Sequence, residues 1–114
     1  MFDAHLVIEV REMLEGVTAP DGTAPGARVD GYRVGGKTGT ARKVGAGGYS
    51  DERHVALFAG IAPIDDPRVV MVVIINEPQR SLISGGAVAA PVFSRVAGRA
   101  LRLLGVPPSW SEAV

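Results

Sequence analysis

Apolar residues recur at helical spacing along the first stretch of the chain: Phe2, Leu6, Val10, Met13 and Leu14 share one side, while Glu9, Glu12 and Glu15 face elsewhere. The pattern predicts an amphipathic helix over residues 2–14, stopped by Gly16. From Thr18 to Asp30 the setting turns polar, with two prolines and two glycines, and predicts a loop crossing the surface. Tyr32–Ala41 reads as a strand that ends in Gly45-Ala46-Gly47-Gly48, a flexible tip that also bears Tyr49 and the charged Asp51-Glu52-Arg53. His54–Ala62 alternates, with Val55, Leu57, Ala59 and Ile61 on one side and Ala56, Phe58, Gly60 and Ala62 on the other. Val69–Ile75 is apolar at every position and rich in β-branched residues, the pattern of a strand covered on both faces. Pro63–Arg68 joins these two runs through turn chemistry and predicts an antiparallel hairpin; Asn76-Glu77-Pro78 stops the second strand.

A last helix is predicted over about Val88–Leu104, its start nearer Ala90 because Pro91 suits only a first turn. At about 100° per residue, Val92, Phe93, Val96, Ala97, Ala100, Leu103 and Leu104 gather on one side and Arg95, Arg99 and Arg102 on the other. Gly105 and Pro107-Pro108 terminate it, and the tail from Ser109, with the lone Trp110, is expected to be loosely held. The order helix, three strands, helix defines an α+β class in which the final helix packs on an antiparallel sheet.

Composition narrows the function. With 114 residues the chain has room for a modest core but not for a deep, multi-layer active site. Twelve basic residues balance twelve acidic ones and are scattered, which argues against a nucleic-acid partner. There is no cysteine, and His5 and His54 lie far apart, so neither a metal nor another cofactor is expected. The longest apolar run is seven residues, far short of the roughly 20 that cross a membrane, and the first residues lack the form of a signal peptide.

The candidate chemistry lies in Gly31-Tyr-Arg-Val-Gly-Gly-Lys-Thr-Gly-Thr-Ala41. Its first eight residues fit the Walker A pattern of phosphate-binding loops, which requires a buried strand before the first glycine and a helix starting at the lysine. Ala24-Pro25-Gly26-Ala27-Arg28-Val29-Asp30 is no apolar strand, and four glycines in the ten residues after Thr38 make a poor helix. Read as a strand, the same residues place Thr38 and Thr40 on one face, their hydroxyls about 6–7 Å apart, a spacing that suits a carboxylate. Gly39 between them leaves bare backbone for a ligand to approach, and Lys37 brings positive charge to the rim.

The ordered set Gly22-Thr23-Ala24, the strand with Lys37-Thr38-Gly39-Thr40, Gly47-Gly48-Tyr49, Phe58-Ala59-Gly60-Ile61-Ala62-Pro63, Asp66-Pro67-Arg68, Glu77-Pro78 and Gly85-Gly86-Ala87-Val88-Ala89-Ala90-Pro91-Val92-Phe93 strongly resembles the C-terminal part of the transpeptidase domain of class B penicillin-binding proteins, of the septal, cell-division type. The resemblance covers residues 1–108, leaving 109–114 as a tail. It implies the penicillin-binding and serine β-lactamase-like fold, and D,D-transpeptidation, in which a serine attacks the D-Ala-D-Ala end of a stem peptide and passes the acyl group to an amine. Lys37 then matches the lysine of the proton network; Thr38 and Thr40 match the hydroxyls that hold the terminal carboxylate of the peptide or of a β-lactam. The Thr40 N–H matches one half of the oxyanion hole, and Gly39 lets the acyl donor lie against the strand.

The family's nucleophile sits in Ser-x-x-Lys and its second motif reads Ser-x-Asn. Ser50, Ser81, Ser84, Ser94, Ser109 and Ser111 fit neither, so the chain carries no nucleophile and is expected to be inert by itself. The resemblance further implies a parent protein at the bacterial inner membrane, with this domain on the periplasmic side and cell-division proteins as partners. It implies that the last strand pairs with a strand from the domain's N-terminal side; without that partner the apolar edge predicts poor stability or self-association. Two alternatives stay open on these residues: a serine β-lactamase-like segment, and a non-catalytic interaction module of the same fold.

Overall fold

A computed structural model of the chain describes residues 2–45, 48–76 and 85–110, with side chains left aside at 42–53 and 85. Helix α1 spans Ala4–Val17, a 3-10 turn spans Pro25–Ala27, strands β1, β2 and β3 span Gly35–Gly45, Gly48–Ala62 and Val69–Asn76, and helix α2 spans Gly85–Leu103. The strands form one antiparallel sheet in the order β1-β2-β3, two successive hairpins as the alternating patterns require. The predicted glycine tip at 46–47, the Glu77-Pro78 stop and residues 111–114 lie outside the described residues.

The core lies between α2 and one face of the sheet. Register sets Thr38 opposite Phe58 and Phe58 opposite Val73, and Gly36 opposite Gly60 and Gly60 opposite Met71. Ala56, Phe58, Gly60 and Ala62 therefore turn toward α2 and are buried, while Val55, Leu57, Ala59 and Ile61 are half-buried on the other face. Phe93 of α2 enters the hollow left by Gly60, where any side chain would collide with its ring, and its ring centroid lies 5.0 Å from that of Phe58 at an interplanar angle of 58°.

Several expectations are corrected. Helix α1 begins at Ala4, where the Asp3 carboxylate accepts a 2.7 Å hydrogen bond from the His5 N–H, and it runs through Gly16 to Val17. Thr18 ends it: its hydroxyl lies 2.9 Å from the carbonyl oxygens of both Glu15 and Val34. Leu6, Val10 and Met13 are exposed, and the half-buried side is Val7, Arg11, Leu14 and Glu15. The segment 18–30 does not simply cross the surface, since Ala24, Ala27 and Val29 enter the core, as do Tyr32 and Val34 ahead of β1, which starts at Gly35 rather than Tyr32.

Strand β3 is covered on one face only: Val69, Met71, Val73 and Ile75 pack on the core, whereas Val70, Val72 and Ile74 are more than half exposed. No second layer lies over them among the described residues. Helix α2 starts at Gly85, which leaves Pro91 inside it; Gly86 against Thr23 and the buried Ala89 and Ala90 hold the turns before the proline. Its buried stripe is Ala89, Ala90, Phe93, Ala97 and Leu101, so Val92, Val96 and Leu103 stay exposed, while the arginines face outward as predicted. Gly105 takes φ +70, the left-handed conformation that ends helices.

Among the described residues beyond α2, Val106 and Ser109 are anchored rather than loose. The Tyr32 hydroxyl donates to the Val106 carbonyl at 2.7 Å, the Ser109 N–H donates to the Gly31 carbonyl at 2.7 Å, and the Ser109 hydroxyl accepts from the Arg33 N–H at 2.9 Å. The Arg33 guanidinium also forks onto the Glu15 carboxylate at 2.7 and 2.8 Å, joining α1 to the approach of β1.

Phe93→Ala should cost on the order of 3–5 kcal/mol, read from denaturant unfolding, because the glycine hollow cannot refill itself. The Arg33 hydrogen bond holds the Glu15 carboxyl below its ordinary value. The pair therefore contributes fully above the ordinary carboxylate range, and its contribution is lost as pH falls through the lowered value. Both side chains are partly exposed, so Glu15→Gln should cost at most about 1 kcal/mol at pH 7 and progressively less in acid, measured as melting curves against pH.

Candidate functional site

Lys37, Thr38, Gly39 and Thr40 sit in the first half of β1, which pairs only with β2 among the described residues. Its other edge therefore presents backbone N–H and C=O groups outward. Thr38 and Thr40 oppose Phe58 and Ala56 and share their face of the sheet, with Thr38 half-buried and Thr40 exposed. Lys37 and Gly39 oppose Ala59 and Leu57 on the reverse face. The Lys37 ammonium is exposed and donates to the Thr38 carbonyl at 3.0 Å, which draws it along the strand edge. The two-residue period thus separates the lysine from the hydroxyls as the sequence predicts.

Two neighbours fix this edge from opposite sides. A side chain at Gly39 would stand 3.1 Å from Leu57, so its absence makes room for Leu57 across the hairpin as well as baring the backbone. Gly86, in the first turn of α2, faces Thr38: a methyl there would meet the Thr38 Cγ2 at 3.7 Å and collide with the Thr23 carbonyl oxygen. The helix start, Thr23 and Thr38 form one tight junction.

Sequence reasoning missed the anchoring of the strand's approach. Arg33, four residues before Lys37, meets Glu15 from α1 and Ser109 from the chain's end, while its carbonyl accepts from the Ile64 N–H at 2.6 Å. No local motif announces it, although Gly31 in a left-handed φ of +87 and Pro107-Pro108 mark the two bends that bring those segments together. Among the described residues no group of three or more His, Asp or Glu side chains is placed to hold a metal. A cleft of about 470 Å³ lies between the end of α1, Arg28, Tyr32–Val34 and Trp110. Lys37–Thr40 lie outside this cleft, on the edge strand of the sheet.

This arrangement is that of a known class. Residues 1–98 match the model of the penicillin-binding protein transpeptidase domain, and the chain belongs to that family. It is 48% identical over 109 residues to a probable peptidoglycan D,D-transpeptidase, PenA, of Neisseria gonorrhoeae, covering 96% of this chain and 19% of that protein. It is 43% identical over 108 residues to the peptidoglycan D,D-transpeptidase FtsI of Escherichia coli, covering 95% of this chain and 18% of the relative. The chain thus spans about a fifth of the length of these relatives. Among solved structures, the transpeptidase domain of penicillin-binding protein 3 from Burkholderia pseudomallei superposes with a TM-score of 0.81 at 50% identity, over 90% of this chain and 31% of that one. Penicillin-binding protein 3 of Mycobacterium tuberculosis, complexed with ampicillin, gives 0.76 at 38% identity, over 92% of this chain and 25% of that one.

Gly86→Ala should force α2 back from Thr23 and Thr38, because the colliding atom is backbone. An overpacking cost of about 1–3 kcal/mol would lower Tm by roughly 5–15 °C, read by thermal unfolding beside the native sequence.

Proposed function

We propose that this chain forms the substrate-binding wall of a peptidoglycan D,D-transpeptidase that cross-links stem peptides during septal wall synthesis. The observation that carries the reading is the edge strand with Thr38 and Thr40 on one face and Lys37 beside them, within a chain of this family. A peptide or β-lactam carboxylate binds between the two hydroxyls, each a donor to a charged acceptor. The outer edge of β1 receives the extended acyl donor as an added strand, Gly39 leaving the backbone approachable. The Thr40 N–H polarises the scissile carbonyl, and Lys37 organises the protons around the nucleophile.

The serine comes from outside these 114 residues, since none of the chain's serines stands in Ser-x-x-Lys. The atoms that this chain supplies bind, orient and polarise; the covalent bond forms on the serine that faces them. The E. coli relative's name associates this reading with cell division. We place the parent protein at the inner membrane with this domain outside it and division proteins as its partners; among the described residues no helix is long and apolar enough to cross a membrane.

The test is a fusion in which this chain replaces the matching segment of the Burkholderia pseudomallei transpeptidase domain. A fluorescent penicillin should acylate the fusion and leave the isolated chain unlabelled. Within the fusion, Thr38→Ala and Thr40→Ala should each slow acylation about 10- to 100-fold, the loss of one hydrogen bond to a charged group. Covalent labelling of the isolated chain, or unchanged acylation in the double variant, would overturn the assignment.

A further inference from the structure

Helix α1 buries none of its residues, and it packs chiefly on β1. The tie is its last turn. A side chain at Gly35, the first residue of β1, would collide with the backbone of Leu14 and Glu15, so the strand begins in direct contact with the helix. One residue earlier, the buried Thr18 hydroxyl lies 2.9 Å from the Val34 carbonyl oxygen; one earlier again, the Arg33 guanidinium forks onto Glu15 at 2.7 and 2.8 Å. The backbone of Arg33 is fixed as well. Its carbonyl accepts from the Ile64 N–H at 2.6 Å, and its N–H donates to Ser109, whose hydroxyl in turn donates to the Asp65 carboxylate at 3.2 Å.

Residues 33–35 are thus gripped by the end of α1, by the β2–β3 connection and by the segment after α2, all before the first site residue. From there Lys37–Thr40 pair with β2 along one edge. A strand advances about 3.3 Å per residue, so Thr38 and Thr40 lie roughly 10 and 17 Å from Gly35, and a rotation of about 5° at the grip moves the Thr40 N–H by about 1.5 Å. Paired strands readily span that range of twist. A hydroxyl can turn to follow a displaced carboxylate, whereas a backbone N–H cannot turn to follow a displaced oxyanion. A loosened grip therefore damages the acylation step before it damages binding.

We propose that Arg33 and Thr18 are positioning residues for acyl transfer: by fastening residues 33–35 to the last turn of α1, they fix the direction in which β1 carries Thr38 and the Thr40 N–H toward the nucleophile. Glu15 takes part as the other half of the fork. The inference rests on the transpeptidase reading and assigns a role in the reaction to side chains that stand apart from Lys37–Thr40.

The experiment uses the fusion with the Burkholderia pseudomallei domain, and stopped-flow at several penicillin concentrations separates the acylation rate constant from the dissociation constant of the noncovalent complex. Arg33→Gln and Thr18→Val should each slow acylation about 10- to 100-fold, the loss that a misplacement near 1 Å brings, and change the dissociation constant by less than about threefold. Because the Arg33–Glu15 pair is partly exposed, Arg33→Gln should lower the Tm of the fusion by no more than about 4 °C. Glu15→Gln should slow acylation as Arg33→Gln does, and the double variant no further, since either change removes the same contact. Should Thr18→Val fail to fold, the Arg33 and Glu15 variants carry the test. Hydrogen exchange gives a second readout: the amides of Lys37–Thr40 should exchange faster in Arg33→Gln, with those of α2 unchanged. Unchanged acylation, a loss confined to binding, or Arg33 and Glu15 effects that multiply would overturn the positioning role and leave the function standing. If the native fusion is never acylated, the function falls, and exchange at Lys37–Thr40 alone decides whether Arg33 holds the strand.

Discussion

Phe93 seated in the hollow over Gly60, against Phe58, is the contact from which the rest of the structure takes its spacing. A helix can approach a sheet this closely only where the sheet lacks side chains; Gly60 provides that gap, and Gly36, paired with it, makes room for the Phe58 ring on which Phe93 rests. With α2 held there, its first turn reaches Thr23 and Thr38, and its end delivers Val106 to the Tyr32 hydroxyl. The hydrophobic core and the candidate site thus share one helix and one strand.

The elements that carry strong two-residue periodicity were legible. β2 alternates in fact as it does on paper, and Lys37 and Thr38 point to opposite faces because the pleat demands it. Placement of the site residues on an edge strand followed from the motif and its company. The failures share a physical cause: hydrophobicity says that a residue can be buried, not that something exists to bury it. Val70, Val72 and Ile74 read as a covered face, and Val96 and Leu103 as core, yet all five remain exposed in this chain. In the other direction, the Pro- and Gly-rich segment 18–30 read as surface, although Ala24, Ala27 and Val29 are small enough to enter the core.

The long-range polar ties were illegible for another reason. Arg33 meets Glu15 and Ser109 across separations of 18 and 76 residues, and no periodicity links such positions. These bonds stand where β1 enters the sheet, so the strand that would receive a substrate is braced at its approach and open along its edge. The relatives from N. gonorrhoeae and E. coli, both named as peptidoglycan D,D-transpeptidases, favour the transpeptidase reading over a β-lactamase-like one.

Gly60 leaves the gap that the Phe93 ring of α2 fills, and Gly36, paired with it, leaves the gap that the Phe58 ring fills. A side chain added at either position would collide with one of these rings, two residues along β1 or across the hairpin from Thr38. The position of Thr38 is therefore governed in part by core residues two steps along the same strand and on the same face of the sheet.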